Sequence, residues 1–155
     1  MKNKHIFLLI SLLLLSGCQN QTEENKNEYI AMKKNTLNED NYIEEELPVD
    51  IVTTIERVGE EDVNYKVTIS NPKENMHDVK VLLVHNYYTE NTYPSIGLFN
   101  ETEELLINNQ EKNTLALEDT IKTTKNISKL DLEMKLLIEY TNDYNEKKDI
   151  YYKTT

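Results

Sequence analysis

The strongest constraint on this chain is a two-residue alternation that sets in after Pro48. In Val63-Asn64-Tyr65-Lys66-Val67-Thr68-Ile69-Ser70 every odd position is apolar or aromatic and every even position polar. Side chains alternate across a strand, so this pattern specifies a strand with one buried face. Asn71-Pro72-Lys73-Glu74-Asn75 follows with turn chemistry. A longer alternation runs from Leu130 to Thr141. It sets Leu130, Leu132, Met134, Leu136, Ile138 and Tyr140 against Asp131, Glu133, Lys135, Leu137, Glu139 and Thr141. On a helix these apolar residues would spread around the axis instead of forming one stripe. The same reading predicts strands over 49–58, over 78–88 with Val79, Val81, Leu83 and Val84, over 114–124, and over 147–153. A short strand is expected at 104–107, and Asn142 to Glu146 reads as a turn.

Six or seven strands, each with one apolar face, must cover that face with a second sheet or close into a barrel, and their count and spacing favour two sheets. Residues 47–155 are therefore expected to form an all-β domain, a two-sheet antiparallel sandwich of about seven strands. At Tyr65 to Pro72, followed by Asp78 to Val84, the chain resembles immunoglobulin-like domains of bacterial surface proteins. The resemblance implies an immunoglobulin-like sandwich. The chain has no tryptophan and one cysteine, so the tryptophan-on-disulfide core of antibody domains is replaced by aliphatic and tyrosine packing.

The amino-terminal residues follow a different logic. Met1-Lys2-Asn3-Lys4-His5 is basic, Ile6 to Leu15 is apolar, and Leu15-Ser16-Gly17-Cys18 ends the segment. A basic start, a short apolar run and small residues before a cleavage point mark an export signal. The run is ten residues, about half of what spans a hydrocarbon core. With cysteine at the cut, the segment resembles the precursors of bacterial lipoproteins. The resemblance implies that Cys18 takes a diacylglyceryl group and that cleavage falls between Gly17 and Cys18. It also implies a cell-membrane location, lipid-anchored on the extracytoplasmic side. The scarcity of alanine beside abundant Asn, Lys, Ile and Glu favours a low-GC Gram-positive source.

Residues 18–46 are polar and charged, with scattered apolar residues and no sustained period. Such a segment buries too little apolar area to offset the entropy of ordering. It is expected to be a flexible acidic tether, with an end-to-end distance of roughly 30 Å. The alternative is a short helix over Tyr29 to Leu37.

Charge narrows the partners. The net charge is −11, and removing Lys2 and Lys4 with the leader makes it more negative still. This disfavours nucleic acid, whose phosphates require lysine and arginine; Arg57 is the only arginine. With Cys18 acylated, no thiol is left for disulfide or thiolate chemistry. His77 and His85 share parity on one expected strand but lie roughly 26 Å apart along it, too far to share a metal. His85 continues the alternation of Val81 and Leu83, which marks it as a packed histidine. Ser70, Ser95 and Ser128 lack a nucleophile motif, and no phosphate-binding glycine loop occurs. No catalytic residues, metal or cofactor are therefore expected.

Tyrosine is over-used: ten residues, against two phenylalanines. Tyr87, Tyr88, Tyr93, Leu98 and Phe99 gather around one loop, with Pro94 limiting its freedom. Tyrosine joins a rigid apolar body to a polar tip and is enriched at interfaces. This loop is the expected partner-binding surface; the competing reading is that these tyrosines are core aromatics of a β-domain. The function that follows is a membrane-tethered binding or accessory module of the cell envelope. The alternative is an immunity-type lipoprotein that sequesters a cationic antimicrobial peptide, since opposite charge speeds capture.

Overall fold

The computed structural model describes residues 22–42, 46–89 and 91–154. The leader, Gly17 and Cys18 lie outside them. Eight strands form two antiparallel sheets: β1 (Asp50–Arg57), β2 (Asp62–Ser70), β3 (Met76–His85), β4 (Ser95–Ile96), β5 (Glu103–Leu105), β6 (Thr114–Lys122), β7 (Met134–Thr141) and β8 (Lys147–Lys153). One sheet has the order β1-β2-β6. The other has the order β4-β3-β7-β8, with β5 also paired to β3. In immunoglobulin-like sandwiches A, B and E share one sheet and C, F and G the other, and β1, β2, β6 and β3, β7, β8 follow that order.

The alternation does what it predicts. Val63, Tyr65, Val67 and Ile69 of β2 meet Val81 and Leu83 of β3, Leu117 and Ile121 of β6, and Met134, Leu136 and Ile138 of β7 in one continuous core between the sheets. Leu130 and Leu132 pack against this core, although the paired part of β7 begins only at Met134. Ahead of it, the Asn86 side chain donates to the Asp131 carbonyl (2.9 Å) and accepts from the Glu133 amide (3.1 Å). Arg57 pins the same crossing between sheets, bonding the carbonyls of Thr123 and Lys125.

Two features depart from expectation. The first is a third layer. Residues 22–37 form a helix, α1, where a flexible tether was expected over 18–46. Tyr29 and Met32 of α1 pack with Leu82, Val84, Leu98 and Leu137 in a second apolar cluster on the outer face of the larger sheet. Thr36, fully buried, donates its hydroxyl to the Met32 carbonyl. Polar contacts extend the docking: Glu28 pairs with Lys80, and Glu39 pairs with Lys135 and Lys153. The Tyr42 hydroxyl returns to the Thr36 carbonyl (2.5 Å). The apolar residues that looked scattered therefore lie at helical spacing, and the sheet supplies the surface that orders them. Ile43, Glu44 and Glu45 lie outside the described residues.

The second departure is a bulge in β3. His77 pairs with Thr141 and Lys80 with Glu139, so β3 carries one residue more than β7 between these pairs. Asp78 sits there at φ 51°, a left-handed conformation that Asp tolerates better than most residues. One inserted residue exchanges the faces of a strand. His77 and His85 therefore lose the shared parity expected of them. Nearby, Gly97 has φ 73°, and a Cβ there would stand 2.8 Å from the Val79 carbonyl oxygen. Any side chain at this position would force β4 away from the bulge.

The α1 docking gives a direct test. Met32→Ala removes a fully buried side chain and is expected to cost about 2–5 kcal/mol. Deletion of residues 22–42 is expected to lower the melting temperature, because it exposes Leu82, Val84 and Leu137. Urea unfolding of both variants checks this; unchanged midpoints would refute a structural role for α1.

Candidate functional site at the His85 end of the sandwich

β3 ends with His85 pointing between the sheets, in line with Val81 and Leu83. Its ring is wedged edge-on between Tyr65, at 5.4 Å between centroids, and Tyr93, at 5.0 Å. His85 Nδ1 accepts the Tyr87 amide proton (3.2 Å). That bond leaves the neutral ring with its proton on Nε2. Nε2 is buried without a protein partner, as are the hydroxyl oxygens of Tyr65 and Tyr87. Burial lowers the His85 pKa, opposed by the nearby Asp119 carboxylate. Burial first, then Asp119, raises that of Tyr65.

Asp119 explains part of this electrostatic setting. It lies opposite Tyr65 in the β2–β6 register and points inward, between Leu117 and Ile121. β6 is an edge strand, and an inward-pointing charge is one way of blocking edge-to-edge association. The His85 ring thus sits edge-on between two tyrosines, with the Asp119 carboxylate near enough to act on both His85 and Tyr65.

His77 stands in the opposite environment. Its Nε2 lies 2.8 Å from an Asp143 oxygen and its Nδ1 3.3 Å from a Glu104 oxygen. The two carboxylates raise its pKa, Asp143 foremost. Asn75 extends the cluster, donating to Asp143 (3.1 Å) and accepting from the Ile107 amide (3.1 Å). This is an ionic clamp between the β7–β8 turn and β5. Among the described residues, no three of His, Cys, Asp and Glu are placed to hold a metal ion together.

The structure divides the expected binding loop. Leu98 is buried in the cluster beneath α1. Tyr93 is partly buried there too: its amide donates to the Tyr29 hydroxyl (2.9 Å), and its own hydroxyl donates to the His85 carbonyl (3.2 Å). Tyr87 packs against the intersheet core. Leu98, Tyr93 and Tyr87 thus all contribute to packing, the two tyrosines while remaining partly exposed. Tyr88 stays fully outward at 85% exposure, and Phe99 is 45% exposed with one face against Tyr29. Of the other tyrosines, Tyr140 is buried and donates to Glu74 (2.6 Å), whereas Tyr144 is exposed at the β7–β8 turn.

No family model and no curated relative matches this sequence. Among solved structures, the crystal structure of Spo0M, a sporulation control protein from Bacillus subtilis, aligns with 70% of this chain at 14% identity and a TM-score of 0.28. The alignment covers 49% of that protein, so the chain spans about half its length. A TM-score this low carries no argument.

The two histidines respond to pH with opposite signs. The folded pKa of His77 is raised, so its clamp contributes fully below the unfolded value and is lost as pH climbs through the folded one. His77→Gln is expected to lower the urea midpoint at pH 6 and leave it unchanged at pH 9. The folded pKa of His85 is depressed, so stability falls as pH drops below about 6.5, where the unfolded chain takes up the proton first. His85→Phe is expected to flatten this acid limb between pH 6.5 and 4. Parallel pH profiles of wild type and both variants would refute these assignments.

Proposed function

We propose that this chain is a lipid-anchored surface protein whose sandwich is a binding or accessory module of the bacterial envelope. The observation that carries the reading is Leu15-Ser16-Gly17-Cys18 directly after a basic, apolar leader. Two acyl chains on Cys18 would hold the protein firmly, because each buried methylene contributes about 0.8 kcal/mol and a single myristoyl chain binds only marginally. Tyr88 is the most exposed aromatic of the 87–99 loop, ahead of Phe99, and the residue on which partner contact is proposed to centre.

A second reading has its own support. A surface depression beside β8 is lined by Asp40, Glu46, Glu74, Lys148 and Asp149 together with Tyr140 and Tyr151. Lys148 pairs with Glu74 and Lys73 with Glu46, so Asp40 and Asp149 beside the tyrosine rings are the carboxylates that would attract a cationic peptide, in keeping with the negative net charge. The two readings part on salt. Capture of a cationic peptide weakens steeply as salt rises, whereas contact centred on Tyr88 does not. Binding of an oligolysine peptide at low and high salt, compared between wild type and Asp40→Asn/Asp149→Asn, tests the second reading; no binding at low salt removes it.

The anchor is tested separately. Cys18→Ala is expected to abolish acylation and leave the leader uncleaved. Mass spectrometry of membrane-extracted protein reads both. An unmodified Cys18, or a mature amino terminus elsewhere, refutes the lipoprotein reading.

A further inference from the structure

The outward face of α1 carries a row at helical spacing: Lys26, Ile30, Lys34 and Leu37. All four are exposed, Ile30 at 54% and Leu37 at 48%. Ile30, Lys33, Lys34 and Leu37 line one shallow depression, and the Lys33 ammonium sits 4.8 Å over the Tyr93 ring. The inward face is already used by Tyr29, Met32 and Thr36. Glu23, seven residues before Ile30, lies on the same face, so the outer row carries two lysines and two aliphatic side chains with one carboxylate at its amino-terminal end, on a chain whose net charge is −11. Phe99, its ring tilted against Tyr29 at 5.5 Å, adds an exposed aromatic beside it.

Chain length says what faces this row. Resting on the lipoprotein reading above, Cys18 carries acyl chains in the bilayer. Only three residues separate it from Thr22, where described α1 begins, four backbone steps with a reach of about 14 Å at full extension. The described helix is about 24 Å long, so the anchor cannot hold α1 far from the lipid surface. Lysines and exposed aliphatic or aromatic residues on one helix face are the composition that settles at the headgroup boundary. Each lysine near an anionic surface adds to the attraction. Glu23 and Glu24 lie at the start of the helix, and Glu28 is engaged by Lys80. Other faces are more acidic, with Glu56, Glu60, Glu61 and Glu118 on the smaller sheet and its turn.

We infer that α1 docks flat on an anionic bilayer through Lys26, Ile30, Lys34 and Leu37. The larger sheet then lies against the membrane, and the outer face of the β1-β2-β6 sheet points away from it. The anchored protein has a fixed orientation, not the free swing of a long tether.

The chain contains no tryptophan, so one introduced residue reports its surroundings without background. Ile30→Trp probes the proposed contact. Val52→Trp, on the outer face of β1 and equally exposed at 54%, probes the opposite side. Each full-length variant is purified from membranes, checked for acylation at Cys18 by mass spectrometry, and reconstituted in vesicles of phosphatidylglycerol and phosphatidylcholine with brominated or plain acyl chains. For Ile30→Trp, a blue-shifted emission and at least about twofold quenching by brominated lipid are expected. Val52→Trp should remain unshifted and unquenched. Adding Lys26→Glu and Lys34→Glu to Ile30→Trp should reduce the quenching at low salt without changing acylation.

Equal quenching of both probes, or none at position 30 in acylated protein, overturns the docking and leaves the anchor standing. A blue shift at position 30 that follows protein density instead of bromination marks a second copy on this face and also overturns it. An unmodified Cys18 overturns the anchor and the docked orientation together.

Discussion

The rest of the structure depends on apolar burial on both faces of the larger sheet. Val81, Leu82, Leu83 and Val84 are all buried, two on each side of β3. The inner pair meets the β1-β2-β6 sheet, as in any two-layer sandwich. The outer pair, with Leu137 from β7, needs its own cover. α1 supplies it with Tyr29 and Met32, and the 93–98 segment supplies Tyr93 and Leu98. This requirement turns a polar segment into a structural layer and draws the tyrosine-rich loop down onto its own sheet. It also consumes most of the aromatic surface that such a loop could offer to a partner.

A single extra residue in β3 has effects out of proportion to its size. The bulge at Asp78 places Met76 and Val79 in the same core although they are three residues apart. It sends His77 out to an ionic clamp while His85 stays inside between two aromatic rings. The same imidazole group is thereby set to favour protonation at one site and resist it at the other, through charge in the first case and desolvation in the second. Gly97 belongs to this arrangement, because the bulged backbone leaves no room for a side chain against Val79.

Electrostatics follow the layers. Acidic side chains on the smaller sheet keep its outer face solvated, and the inward Asp119 discourages pairing at the β6 edge. The lysines of α1 and of β7–β8 are partly spent holding the amino-terminal layer, through Lys135 and Lys153 on Glu39. Lys26 and Lys34 remain outward. The proposed contact with lipid rests on this uneven distribution and on the short chain between Cys18 and Thr22, not on the net charge.

The sequence by itself determined the long strands, most of their inward residues and the two-sheet architecture, while β4 fell inside the segment read as a loop. A period of two leaves a strand only one way to bury its apolar side chains, and Val63 to Ser70 obeys it. It also marked His85 as a packed residue. The cover on the outer face left a trace as well: four consecutive apolar residues from Val81 to Val84, and Leu136-Leu137-Ile138, break the alternation as strands buried on both faces do. What would cover them was not legible, because Tyr29, Met32 and Thr36 make only a thin stripe, and a thin stripe becomes a helix when a partner surface orders it. Tertiary structure alone decided that Asp78 bulges, that His77 and His85 part company, and that Tyr65, Tyr87, Tyr93 and Asp119 converge on one histidine. Each of these depends on contacts between residues distant in the chain, which local spacing does not encode.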